Sequence, residues 1–255
     1  MGRDIQIHLW SPMLNQLLED VASRGLAEPG CDKAPEGHIC DNGQLFSESL
    51  RRVVGQCACY PERAAAELKR WKSQQINVLK GLLLPRIDLT KTNTESKKWY
   101  KKLPESGGVW MHGVTGEGKS HAAGWLLAKR IKESKRKFSW SWYSIREIMA
   151  AWSEQYSDDT RVKREAWAVM GRLEWDDVIV IDDADKTGAF TKAREEHFYD
   201  FINTAHAKCK ELIFTANIGI AEFCDKMDDE RAKARRDGVG PIQRRIREMC
   251  KEVQT

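Results

Sequence analysis

Apolar residues recur along this chain with two different periods, and the change of period divides it. Near the N-terminus Met13, Leu14, Leu17, Leu18 and Val21 fall at helical spacing between Ser11-Pro12 and Gly25. A capping serine, a first-turn proline and a terminating glycine predict a short amphipathic helix there. A second stripe, Leu68, Trp71, Ile76, Leu79 and Leu82, predicts a helix from Pro61 to about Leu83. Between them, Ala27 to Tyr60 is rich in Gly, Pro, Asp and Cys, and only Leu50 to Val54 suggests a helical turn or two. Asp88 to Gly107 follows as a polar connector with five lysines, Pro104 and Gly107.

Beyond the connector, short apolar runs alternate with helical stripes. Gly108–His112, Phe138–Tyr143, Val178–Ile181 and Leu212–Thr215 read as strands. Ser120–Ile131, Ile145–Gln155, Lys163–Leu173 and Ala193–Lys208 read as the helices among them. Strands alternating with helices imply a parallel sheet covered on both faces. The expected fold class is therefore α/β: a parallel-sheet domain over 107–255, preceded by a small, mainly helical domain over 1–87 and a linker over 88–106.

Composition narrows the class. Of 255 residues 41% are hydrophobic and 31% charged, with 42 Lys and Arg against 38 Asp and Glu, a balance too even to mark a nucleic-acid binder. No segment has the apolar length of a membrane span, and MGRDIQIHLW lacks the apolar run of a signal peptide. Gln6 stands where a myristoylation signal needs Ser or Thr. A cytoplasmic protein without membrane contact is expected.

The seven cysteines are an odd number at uneven spacing, unlike a disulfide framework. Cys31, Cys40, Cys57 and Cys59 cluster in a segment poor in apolar residues, where a structural zinc ion could replace a missing core. Cys57-Ala-Cys59 is tighter than the usual zinc spacing, His38 is a substitute ligand, and free thiols packed among helices are the alternative. Cys209, Cys224 and Cys250 stand alone in periodic segments and are expected to be reduced and mostly buried.

The chemistry is concentrated at Gly113-Val-Thr-Gly-Glu-Gly-Lys-Ser120. In G-x-x-x-x-G-K-[ST] the glycines let backbone N–H groups approach phosphates, the lysine reaches the β- and γ-phosphates, and the hydroxyl serves magnesium. Gly113, Gly116, Gly118, Lys119 and Ser120 are thus candidate ATP ligands, between an expected strand and an expected helix N-terminus. Val178-Ile-Val-Ile181 ends in Asp182 and Asp183. Asp182 is the candidate for the Mg2+ shell and Asp183 for orienting and activating the attacking water. Asn217, after the next strand, offers a neutral donor at the same sheet edge to position that water. Arg244 and Arg245 lie near the C-terminus, where an arginine delivered from a neighbouring subunit could neutralise charge on the γ-phosphate.

Taken together, these segments resemble the AAA+ ATPases of the bacterial helicase-loader family, the DnaC and DnaI type, related to the transposition helper IstB. GVTGEGKSHAAGWLLAKRI is similar to the family's phosphate loop and first helix, WYSIREIMAAW to its second strand and helix, and VIVIDDADK to its acidic strand. EEHFYDFINTAHAKCKELIFTANIGIAEF is similar to its sensor region and QRRIREMCKEVQ to its closing arginine segment, which puts Arg245 in the finger position. The resemblance spans roughly Gly107 to Thr255 and departs from the family at Asp183, where Glu is usual. It implies a P-loop AAA+ domain without a C-terminal lid, self-association into a ring-like or helical oligomer, and a bacterial or phage origin. It also implies a hexameric replicative DNA helicase and single-stranded DNA as partners, with helicase loading in DNA replication as the function. A transposition helper and a non-hydrolysing, ATP-switched adaptor are the alternatives. For DNA contact Lys186, Lys192 and Arg194 are candidates, whereas Trp140 and Trp142 are expected in the core.

Overall fold

The computed structural model describes residues 31, 38–41, 44–47, 52–83, 97–187, 191–227 and 240–254, so the helix expected over Ser11–Gly25 lies outside it. The chain forms two compact units, Met1–Arg70 and Trp71–Thr255. In the first, β1 (His38–Asp41), β2 (Gln44–Ser47) and β3 (Arg52–Gln56) make an antiparallel sheet in that order, with a register shift at Leu45/Phe46. A strand over Arg52–Gln56 thus replaces the helical turns expected at Leu50–Val54, and the N-terminal segment carries sheet as well as helix. Arg52-Val-Val is rich in β-branched residues, and pairing with β2 decides its state where local periodicity is ambiguous.

Helix α1 (Tyr60–Leu83) confirms the second stripe with one change of face, because Leu79 and Leu83 are buried while Leu82 is 52% exposed. The second unit continues with α2 (Lys97–Tyr100), β4 (Gly108–His112), α3 (Lys119–Glu133), β5 (Trp140–Ser144), α4 (Ile145–Glu154) and α5 (Thr160–Trp175). After these come β6 (Val178–Asp182), α6 (Lys192–Ala207), β7 (Glu211–Ala216), α7 (Ile220–Asp225), α8 (Pro241–Met249) and β8 (Cys250–Gln254). The five strands of this unit form one parallel sheet in the order β5-β6-β7-β4-β8.

Both faces of that sheet are covered, and strand alternation sorts the residues. Trp110, Ile179, Ile181, Leu212 and Phe214 pack with Ile148, Phe198 and Phe223 on one side. Val109, Met111, Val178, Val180 and Ile213 pack with Leu126, Leu127 and Ile131 on the other. Burial of alternate residues on opposite faces makes the strands read as continuous apolar runs rather than alternating ones. Trp99, inside the connector expected to be a linker, is fully buried in the second cluster together with Leu79 and Leu83. Trp140 is buried and Trp142 packs against the same cluster, as expected of core indoles.

Local signals fix several helix starts. Ser144 and Glu147 form a reciprocal capping box on α4, Asp159 caps α5, and Thr191 caps α6. Gly108, which opens β4, is needed for space, since a Cβ there would lie 2.6 Å from the Leu212 carbonyl oxygen and 2.8 Å from Cys250 Sγ. Cys224 and Cys250 are buried thiols, but Cys209 is exposed, at a backbone φ of 51° after helix α6. Among the described residues no helix is long and apolar enough to cross a membrane.

Candidate nucleotide site

All five strands run the same way, so the segments that follow β4, β6 and β7 emerge at one edge of the sheet. Ligand sites of open α/β sheets form outside that carboxyl edge. The β4–α3 loop begins it. Gly116 and Gly118 take φ values of 93° and 76°, left-handed conformations that let the chain turn tightly into α3. Gly118 caps α3 without any side-chain hydrogen bond. The first-turn N–H groups and the positive end of the helix dipole therefore face an anion site with no competing side-chain cap.

Lys119 opens α3 and is 8% exposed. Its Nζ donates to the Gly113 and Val114 carbonyls at 2.9 Å each and to Asn217 Oδ1 at 3.1 Å. Burial pushes the ammonium down from its ordinary value, and Glu117, Asp185 and Asp183 oppose the shift. The next residue turns to the acidic strand: Ser120 Oγ donates to Asp182 Oδ1 at 2.8 Å. Thr215 Oγ1 donates to that same oxygen and accepts from the Asp183 backbone N–H at 3.0 Å. A hydroxyl and a carboxylate converging beside the lysine are hard oxygen donors of the kind Mg2+ takes. ATP with Mg2+ therefore fits the residues present.

Asp183 has a φ of 55°, unusual for a residue with a Cβ, and its carboxylate pairs with Lys186 at 2.9 Å. Donating that hydrogen bond to Asp183 pushes the Lys186 ammonium up from its ordinary value. Lys186 is thus held at the site by Asp183, while its carbonyl accepts from Arg146 Nε at 2.9 Å. Lys192 and Arg194 begin α6, with Lys192 exposed. Arg245 lies on α8 with its guanidinium 5.5 Å from the centroid of the Tyr199 ring, half-buried beside α6.

Asn217 reaches the edge as expected, but its amide is already engaged. Its backbone N–H and Nδ2 both donate to the Asp185 carboxylate at 2.9 Å, and its Oδ1 accepts from Thr115 Oγ1 at 3.2 Å as well as from Lys119. Asp185, Thr215 and Thr115 are therefore parts of the site that sequence reasoning passed over. Asp185 was visible as the third acid of Val178-Ile-Val-Ile-Asp-Asp-Ala-Asp185, and Thr215 as the polar residue that ends the apolar run Leu212-Ile-Phe214. The expected linker also reaches the loop, because Trp99 Nε1 donates to the Glu117 carbonyl at 2.8 Å. Tyr100 OH lies 3.0 Å from His121 Nδ1, and its ring stacks on Trp125 at 4.3 Å.

In the N-terminal unit, Cys31, Cys57 and Cys59 bring their sulfurs within 4.8 Å of one another, and Cys31 Sγ lies 3.7 Å from Cys57 Sγ. Cys57 and Cys59 are buried. The side chains of Cys40 and His38 lie outside the described residues, though both positions fall on β1.

A scan for known protein families matches none, and a search of curated proteins matches none. Among solved structures, the fold is similar to the DnaI crystal structure, at 16% identity and a TM-score of 0.46 over 67% of this chain and 89% of that one. It is similar to the DnaC helicase loader at 16% identity and a TM-score of 0.45, over 64% of this chain and 91% of that one. AMPPCP-bound DnaA from Aquifex aeolicus matches at 16% identity and a TM-score of 0.46, over 68% of this chain and 50% of that one.

Proposed function

We propose that this chain is an ATPase of the helicase-loader type, which binds ATP with Mg2+, assembles on a hexameric replicative helicase and helps place it on single-stranded DNA. The observation that carries the nucleotide reading is the convergence of Lys119, Ser120 and Asp182 at the mouth of a helix N-terminus that has no side-chain cap. The loader reading is supported by the sequence motifs that resemble the DnaC and DnaI type, above all Gln243-Arg-Arg-Ile-Arg247 in the arginine segment. In this reading Gly113, Gly116, Gly118 and Lys119 hold the phosphates, Ser120 and Asp182 hold the metal shell, and Asp183 orients water. Arg245 serves the site of a neighbouring subunit, and the N-terminal residues 1–87 give partner specificity. Lys186, Lys192 and Arg194 are the proposed DNA contacts.

The deciding experiment is co-purification of the full chain with the hexameric replicative helicase of its host, with and without ATP, together with ATP turnover with and without single-stranded DNA. Association that strengthens with ATP supports the loader. A transposase partner in its place, with duplex DNA bound, moves the reading to the transposition helper.

One observation favours a second reading. The Asp183 carboxylate is tied to Lys186, and Asp is one methylene shorter than the Glu usual in the resembled family. An adaptor that binds ATP without hydrolysing it fits that arrangement, and ATP binding without measurable turnover under any condition selects it.

We also propose a structural zinc ion in the N-terminal unit, held by Cys31, Cys57 and Cys59 with Cys40 as fourth ligand. The three sulfurs gathered in so small a space, two of them buried, support it.

A further inference from the structure

We propose that Asp185 is a positioning residue of the nucleotide site, which fixes the Asn217 amide with its oxygen toward Lys119 and so ties down the loop's cation until nucleotide arrives. The inference rests on the nucleotide reading of the loop and adds a resting-state lock to it.

Hydrogen-bonding chemistry allows the Asn217 amide one orientation. A carboxylate only accepts, so both groups of Asn217 that face Asp185 must be donors, and they are the backbone N–H and Nδ2, each at 2.9 Å. An ammonium only donates, so the atom facing Lys119 must be an acceptor, and it is Oδ1 at 3.1 Å. Rotating the amide by half a turn would set its NH2 against the ammonium and its oxygen against the carboxylate. The charges at the two ends thus enforce the same choice. The Thr115 hydroxyl, which donates to Oδ1 at 3.2 Å, adds to it.

The consequence falls on Lys119. An ammonium has three N–H donors, and here they are spent on the Gly113 carbonyl, the Val114 carbonyl and Asn217 Oδ1. Binding β- and γ-phosphate oxygens requires at least one to be given up. The two carbonyls belong to the loop's own main chain, whereas the third contact is to a side chain just after β7, oriented by Asp185 from outside the loop and by the Thr115 hydroxyl from within it. Asp185 follows β6, Asn217 follows β7 and Thr115 follows β4, so this one chain of hydrogen bonds links three strand ends across the sheet edge. Because its nitrogen is committed to Asp185, Asn217 acts here as an acceptor for the lysine. The donor that would position water becomes available only when Asp185 releases it.

The test is ATP affinity, measured by titration on the full-length protein in Mg2+, for the wild type, three single variants and one double variant whose melting temperatures confirm folding. Removing the clamp with Asp185→Ala frees Lys119 from one charge-assisted competitor and is expected to tighten ATP binding about tenfold. Asp185→Asn removes the same charge but keeps an acceptor for Asn217, and is expected to tighten binding by about threefold or less. Asn217→Ala removes the acceptor itself and should match Asp185→Ala, and the double variant should gain nothing over either single one. Equal tightening by Asp185→Ala and Asp185→Asn would mean that charge alone acts on the nucleotide, and would overturn the proposal. No tightening in Asp185→Ala, or full additivity in the double variant, would overturn it too. If Asp185→Ala does not fold, Asn217→Ala and Asp185→Asn decide: the first must tighten binding clearly more than the second. Absence of ATP binding by the wild type is a different result, the failure of the nucleotide reading itself.

Discussion

Ser120 Oγ donates to Asp182 Oδ1 at 2.8 Å, so the first turn of α3 and the end of β6 meet even though β7 lies between strands β4 and β6. This contact defines the proposed metal position. Asp182→Asn should weaken ATP binding about tenfold in Mg2+, as expected when a metal's support is altered, and leave binding in EDTA unchanged. Titrations in the two buffers check it, and an equal loss in both would place the metal elsewhere.

Lys119→Ala should abolish tight ATP binding, because the ammonium is the full positive charge within the loop. Mixing this variant with Arg245→Ala protein should then restore part of the turnover that each lacks alone. Arg245 packs over Tyr199 on its own chain's surface rather than among the loop contacts of Lys119, as a residue serving a neighbour would. No recovery at any mixing ratio, with both proteins associating, would remove Arg245 from the finger role.

The Asp183 backbone, at a φ of 55°, makes one substitution informative. Asparagine tolerates the left-handed region about as well as aspartate, so Asp183→Asn should keep the fold and melting temperature. It cannot take a proton from water, and turnover should fall by about a hundredfold. Unchanged turnover would remove Asp183 from the water-activating role.

Arg130 and Glu211 form a largely buried ion pair at 2.8 Å. Burial pushes the Glu211 carboxyl up from its ordinary value and the guanidinium opposes the shift. Arg130→Ala should destabilise the protein by about 3 kcal/mol at neutral pH, since it leaves a buried charge unpaired. The carboxyl's affinity for a proton then rises further, so the folded state holds a proton that the unfolded state has released. Stability of the variant should therefore fall as pH rises above the ordinary carboxylate range, and its deficit should shrink toward pH 5. Denaturant melts across that range measure it.

Purified, metal-replete protein should carry about one zinc per chain by elemental analysis, and Cys57→Ser should release it and unfold the N-terminal sheet. Well under one zinc per chain would leave Cys31, Cys57 and Cys59 as packed thiols.

The loop and strands of the nucleotide site were legible because each depends on local signals: glycines at the turn, a lysine and hydroxyl opening a helix, and apolar runs ending in acids. The expectation for Val178–Ile181 differs from the observed β6 by a single residue. What could not be read were features made by distant partners. Strand β8 follows α8 without a turn and owes its state to pairing with β4, and Cys250-Lys-Glu-Val-Gln254 has little strand signal of its own. Trp99 sits in a lysine-rich stretch and looks like linker until the second cluster buries it. Asp185 needed Asn217, which reaches it only once β6 and β7 lie side by side.

The pairing of β8 with β4 also bears on how the protein comes to be made. Every residue of β4, from Gly108 to His112, pairs with a β8 residue from the far end of the described chain. Without β8, the strand bearing the phosphate loop keeps an open row of backbone donors and acceptors on its side away from β7, and such an edge can recruit a strand from another molecule. Long-range pairing of this kind forms slowly. Once it is formed, the short β8 rather than the strand that bears the phosphate loop stands at that edge of the sheet.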